Sequence, residues 1–343
     1  MSSVTRTERF TKLNYAPAIS PTPPAWSVTA RYYHVAMIQA KPAPDVLLTI
    51  DAGGTSVRFR LQQNETLLCN DWTVSASDDG RPPELQPTIV QPDVIVAGIT
   101  KVSRPGVVDA WKHAIECQFP AAHVHIVPDY ELAAAAAIDT EGAVMLLAGT
   151  GSLACVFENS KLVRIGGRGW EYGDEGSGAF ITTELVRRCI RGLDGMLPCT
   201  PLIHRVIDIA GTKDAGDFAT WARSEAEIYG RGFLVPLLTI AAAEHDSESV
   251  NLLVGAGGWL ARLARAAKVR NSSTRQDTIV IRAVGGLWET GPFIRNATVN
   301  ALEKWFDAVE FSRFEGSHLV GGQRLLALGH RPTPPSKGIG FLK

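Results

Sequence analysis

Two short turns of glycine and threonine, each set between apolar runs, constrain this chain most. The first, Asp51-Ala52-Gly53-Gly54-Thr55, lies between Val46–Ile50 and Val57–Leu61. The second, Gly149-Thr150-Gly151-Ser152, lies between Ala143–Ala148 and Leu153–Phe157. An apolar run, a glycine turn and a second apolar run predict a buried hairpin. Glycine lacks a Cβ, so backbone N–H groups can approach an anion closely, and threonine adds a hydroxyl donor. Two such hairpins can grip a polyphosphate from opposite sides. Gly53, Gly54 and Thr55 would serve one side and Gly149, Thr150 and Gly151 the other, with Asp51 holding the accompanying Mg²⁺. That is a site for Mg-ATP, and it reads as phosphoryl transfer.

Two familiar phosphate motifs do not account for these turns. The chain has no GxxxxGK[ST] segment, which excludes a P-loop. Gly149-x-Gly151-x-x-Ala154 formally matches a dinucleotide fingerprint, but that fingerprint must open a helix. Here Ala154-Cys155-Val156-Phe157 continues as strand.

At 343 residues, with 45% apolar and 20% charged residues, the chain can fill two domain cores. A net charge of -1 provides no field toward nucleic acid or a membrane surface. The five cysteines are odd in number and form no CxxC pair, a pattern that suits a reducing cytoplasm. No apolar run approaches the ~18–20 residues that span a bilayer. Residues 1–44 read as a disordered extension, with Met37 a candidate true start just before the first strand. The Pro-rich tail Arg331–Lys343 reads as loose.

Between these ends the chain alternates. Val94–Ile99 reads as a buried strand after a polar, Pro-rich stretch from Ser75 to Pro92. Val107–Gln118 has helical periodicity, His123–Val127 is a strand ended by Pro128-Asp129, and Glu131–Ile138 is an alanine-rich helix. After Asp139–Gly142 the strand, Gly/Thr turn, strand pattern restarts, a weak internal repeat. A helix follows from Gly178 to Gly192, then a mostly helical region from Pro201 to Arg270. Thr278–Val284 is a strand that ends in Gly285-Gly286. Phe293–Phe306 and His318–Leu328 read as helices. The order implies a mixed α/β protein.

Several residues at strand ends are candidates for chemistry, each with a simpler rival. Asp51 closes a buried strand, where it suits Mg²⁺ or serves as a turn-capping Asp. Asp129 could take a proton from a substrate hydroxyl, or act as an ordinary helix N-cap. Asp174 and Glu175, in Gly173-Asp174-Glu175-Gly176-Ser177, suit the hydroxyls of a polar ligand, or a helix start that favours acids. Gly166-Gly167-Arg168-Gly169 would let backbone lie against a flat ring, and Gly285-Gly286 would leave room for a base or ribose.

Together these motifs resemble the BadF/BadG/BcrA/BcrD ATPase family, in its N-acetylglucosamine kinase branch, over about residues 45–330. The resemblance implies the actin/hexokinase type of α/β fold. Two ribonuclease-H-like domains would close on a central ATP cleft: residues 45–140 joined by the C-terminal helix 317–330, and residues 141–316. It implies Asp129 as catalytic base and Asp51 at the metal. Thr55, Thr150 and the turn glycines would lie on phosphate, and Gly285, Gly286 and Thr290 on adenosine. Ser152, Gly167, Arg168, Gly169, Asp174 and Glu175 would lie on the sugar. The implied activity is ATP-dependent phosphorylation of an amino-sugar 6-hydroxyl, with N-acetylglucosamine first and glucosamine second. A more distant alternative is an ATPase that activates a dehydratase or reductase. The partners are a small sugar, no nucleic acid and no membrane, with a homodimer left open. Three departures touch the sugar: Arg168 replaces a stacking tryptophan, Leu153 replaces an asparagine that reads the N-acetyl group, and Asn70–Asp79 supplies no clear match for a sugar-contacting asparagine.

Overall fold

The computed structural model describes residues 45–54, 56–64, 66–77, 79–271 and 278–329. Expectations for residues 1–44, for Thr55 and for the tail after Gly329 fall outside these.

Two mixed sheets form the frame. The first contains β1 (Val46–Ala52), β2 (Ser56–Gln63), β3 (Thr66–Leu67), β4 (Trp72–Ser75), β5 (Val94–Ile99) and β6 (His123–Pro128). Its order is β3-β2-β1-β5-β6, with β4 also on β2. β1 pairs antiparallel with β2 and parallel with β5, which pairs parallel with β6. The second contains β7 (Val144–Ala148), β8 (Ser152–Glu158), β9 (Lys161–Gly166), β10 (Thr278–Val284) and β11 (Ala308–Arg313). Its order is β11-β10-β7-β8-β9, with β7, β10 and β11 parallel and β7, β8 and β9 antiparallel. Each sheet thus joins an antiparallel hairpin, carrying a glycine turn, to two parallel strands. The repeat read in the sequence is a repeat of topology.

Helices fill three layers. α1 (Val107–Gln118) buries Val107, Trp111 and Ile115 with the outer face of the first sheet. The Trp111 indole N–H donates to the Gly80 carbonyl at 2.9 Å, which meets the polar need of a ring buried to 1% exposure. α3 (Gly178–Leu193), α4 (Pro201–Ala210), α5 (Ala215–Tyr229), α6 (Val235–Ala243), α7 (Ser247–Asn271) and α8 (Pro292–Leu302) gather about the second sheet. α2 (Asp129–Ala137) and α9 (Gly321–Ala327) form the middle layer. Leu132 and Ala135 of α2 pack with Leu47, Val96 and Leu325, while Ala133, Ala134 and Ala137 pack with Met145, Leu153 and Val284.

A helix held between two sheets needs short side chains on both flanks, which explains the alanine run. It also explains two glycines. A Cβ at Gly98 would lie 2.8 Å from the Leu132 Cβ, and one at Gly321 would lie 2.1 Å from the Leu132 carbonyl oxygen. Either would push α2 away from its bed.

Some boundaries differ from the sequence reading. α2 starts at Asp129, not Glu131, because Pro128 already fits the extended cap position at φ -58 and ψ 143. α8 stops at Leu302, not Phe306, and residues 303–305 form a turn that leads into β11. The expected helix His318–Leu328 is a 3₁₀ turn at His318–Val320 followed by α9. Among the described residues no helix is long and apolar enough to cross a membrane.

Candidate active site

β1, β5 and β6 run parallel, so their C-terminal ends meet at one edge of the first sheet. Asp51 sits near the end of β1, and Asp129 directly follows β6. Asp51 is 2% exposed, a position that demands a partner for its charge. Arg58, opposite it on β2, donates through Nη2 to Asp51 Oδ2. His318 Nδ1 lies 3.4 Å from the same oxygen, with its ring stacked on Phe314 at 6.0 Å between centroids.

Asp129 accepts from the Tyr130 backbone N–H at 2.8 Å and from the Thr100 hydroxyl. Burial pushes its carboxyl up to about 6, and the negative charge of Asp51 adds to the rise. The bonds from Tyr130 and Thr100 and the nearness of His318 act the other way. The two carboxylates read from the sequence therefore feel one another.

The second turn is built on α3. Gly178 and Ala179 donate their N–H groups to the carbonyls of Gly149 and Thr150 at 2.9 and 3.2 Å. The Ser152 hydroxyl, 1% exposed, donates to the Glu175 carbonyl at 2.8 Å. Asp174 adopts a left-handed φ of 56°, rare for a residue with a side chain, and its carboxylate lies against Gly151. Backbone N–H groups of Gly169 and Ser152 bond that carboxylate and hold its pKa down, but burial outweighs them and raises it. In both turns the first glycine N–H closes the turn itself: Gly53 donates to Ser56 at 3.0 Å and Gly149 to Gly151 at 2.9 Å.

The other expected contacts occupy neighbouring ground. Gly285, at φ 103°, is so close to β7 that a Cβ would lie 2.4 Å from the Ala148 carbonyl oxygen. The Gly285-Gly286 turn therefore adjoins the start of the second glycine turn. Thr290 donates its hydroxyl to the Leu287 carbonyl at 2.7 Å. Gly167 and Gly169 hold left-handed φ values of 65° and 96°, and Arg168 is exposed with its backbone against Gly173. Leu153 packs on Gly167 and is 7% exposed.

Arg164 of β9 ties the two sheets' contributions together. Its guanidinium lies 4.9 Å from the centre of the Tyr130 ring, next in sequence to Asp129, and its charge also favours the ionised form of Asp174.

Arg58, Thr100, Arg164 and His318 were not singled out in the sequence. Arg58 and Thr100 leave a trace there. Arg58 falls opposite Asp51 once the hairpin is counted across its turn, and Thr100 directly follows a strand parallel to β1. His318 leaves none, since it arrives from the far end of the chain.

Hard carboxylate oxygens suit Mg²⁺, which keeps several waters and takes few protein ligands beside substrate phosphates. Among the described residues no group of three or more His, Cys, Asp or Glu could hold a metal alone. The donor set fits an ion whose shell is completed by phosphate and water.

Comparison with known proteins bears on the family and the fold. The sequence model of the BadF/BadG/BcrA/BcrD ATPase family matches residues 86–312. A glucosamine kinase of Vibrio cholerae is 26% identical over 196 residues, which cover 51% of this chain and 64% of that protein. The match thus spans less than two thirds of that relative. The solved structure of a candidate N-acetylglucosamine kinase from Chromobacterium violaceum superimposes with a TM-score of 0.61 at 23% identity, over 83% of this chain and 100% of the other. One from Porphyromonas gingivalis gives 0.53 at 16% identity, over 83% and 98%. At these identities the likeness concerns the fold, and the fold is the actin/hexokinase type expected from the sequence.

Proposed function

We propose that this chain, which belongs to the BadF/BadG/BcrA/BcrD ATPase family, is an ATP-dependent amino-sugar kinase acting on the 6-hydroxyl of N-acetylglucosamine. One observation carries the reading. A carboxyl that titrates near 6 stands at the start of α2, beside a second carboxylate and at the edge of the first sheet. A base of that strength is ionised at neutral pH and still accepts a proton from an alcohol as its oxygen attacks.

In this reading Asp129 takes the proton of the sugar hydroxyl, and the oxygen attacks the γ-phosphorus of ATP in line as the bond to the β–γ bridging oxygen breaks and ADP leaves. Thr100 and the Tyr130 N–H hold the carboxylate in place for that transfer. Gly54, Thr55, Thr150 and Gly151 offer donors to the phosphates, while Gly53 and Gly149 keep the turns closed. Mg²⁺, when bound, spreads the charge that develops on the phosphoryl oxygens, and Asp51 is its carboxylate partner. Asp174, fixed by two backbone N–H groups, accepts from sugar hydroxyls. Gly167, Arg168, Gly169 and Glu175 flank it, and Ser152 braces the loop through the Glu175 carbonyl. Gly285, Gly286 and Thr290 border the adenosine. Residues 45–140 with 317–330, and 141–316, act as two domains that close to exclude water.

Glucosamine is the second reading. The Vibrio cholerae relative carries that name, and buried Leu153 supplies no hydrogen-bonding group where the branch has an asparagine that reads the acetyl group. An ADP-release assay with N-acetylglucosamine, glucosamine, N-acetylmannosamine, N-acetylmuramic acid and glucose separates the two. Sugar-dependent release, highest with N-acetylglucosamine and giving a 6-phosphate by NMR, supports the proposal. Release that ignores every sugar overturns it and returns the activator reading.

A further inference from the structure

The hairpin that presents Asp51 also presents a counter-ion. Register across β1 and β2 sets Arg58 opposite Asp51, so both side chains leave the sheet on one face. The carboxylate side chain is 3% exposed and the arginine 41%, so the guanidinium sits between a buried acid and open solvent. Its Nε is buried and has no hydrogen-bond partner, which marks the seat as an incomplete match for arginine. His318 faces the same carboxylate oxygen from the C-terminal segment, and Asp129 is the neighbouring acid.

We infer that Arg58 is a positioning residue that stands in for the divalent cation on Asp51 and releases that carboxylate when metal arrives on a nucleotide. The inference rests on the reading of Asp51 as the metal's carboxylate. A hydrated cation arriving alone must displace a guanidinium and gains one buried carboxylate, with no protein cage among the described residues to complete its shell. A nucleotide changes both sides of that balance. Its phosphates supply the missing oxygen ligands, and they offer pairs of oxygens that the planar guanidinium of Arg58 binds in bidentate fashion. Arg58 then moves from carboxylate to phosphate, and the metal takes its place. Between turnovers the same arginine pairs with the buried Asp51 carboxylate and keeps it aimed.

The test uses Mn²⁺ as an electron-spin-resonance probe on the full chain, with and without ADP. Wild type should bind Mn²⁺ weakly alone and much more tightly with ADP. R58M should tighten nucleotide-free binding by at least about tenfold, because a positive charge beside the ligand is removed. R58K, which keeps the charge, should stay near wild type. D51N should lose Mn²⁺ in both conditions. R58M binding Mn²⁺ no better than wild type, with D51N still deficient, overturns the role of Arg58 alone. D51N binding Mn²⁺·ADP normally overturns the metal reading of Asp51 and this inference with it. Should R58M not fold, R58Q, which keeps a donor without the charge, is read the same way.

Discussion

The two glycine turns share a sequence pattern and a place in their sheets, yet they are held by different forces. Side-chain charge governs the first: Asp51 lies among Arg58, His318 and Asp129, and a Cβ added at Gly54 would meet nothing within 4 Å. Backbone hydrogen bonds govern the second, whose carbonyls accept from the first residues of α3. The surroundings of a glycine turn, more than its glycines, decide whether it is lined by charge or braced by backbone hydrogen bonds. A changing charge load needs partners that can move, whereas a fixed row of backbone donors needs a scaffold that does not.

The strongest way to break this comparison is at the charged end. D129N should cut turnover at least ~100-fold with nucleotide affinity kept, measured by steady-state kinetics and ADP titration. Near-normal turnover would place the base elsewhere. The same group predicts a pH limb. Asp129 works ionised, so kcat/KM should fall as pH drops through about 6 and level off above it. The sign for stability is the reverse. A folded pKa above the usual 3.8 means that the native state binds the proton more tightly, so the ionised acid costs stability at neutral pH and the cost fades as pH falls. D129N should therefore melt about 2–4 °C higher than wild type at neutral pH; a lower melting point would argue against a desolvated acid.

Steric probes sharpen the other end. G285A places a Cβ 2.4 Å from the Ala148 carbonyl at φ 103°, beneath the rigid turn, and should cost about 2–4 kcal/mol in a denaturant titration. G54A, in the open turn, should cost less than about 1 kcal/mol. Equal losses would mean that the first turn is as tightly built as the second.

The sequence exposed what depends on local periodicity. β5 and β10 match their apolar runs, and α1 and α3 follow their buried stripes. It hid what depends on partners. Every residue of β9 is only half-buried, and β11 is an edge strand with mostly exposed side chains, so neither carries a clear apolar signal. The short β4 was not read as a strand, since two of its four residues face solvent. At the site, each sheet-end aspartate announced itself by its position after an apolar run. The basic side chains that face Asp51 did not, because one is placed by cross-strand register and the other by the return of the chain from β11 to β1.

α2 begins with Asp129 and buries its flanks in both sheets at once. The acid is therefore mounted on a helix that both sheets hold, and the short alanine side chains let that helix lie close to each. On the proposed reading that the two halves close on ATP and sugar, Asp129 travels with that helix, so alignment for attack and shelter from the bulk would be reached in a single movement.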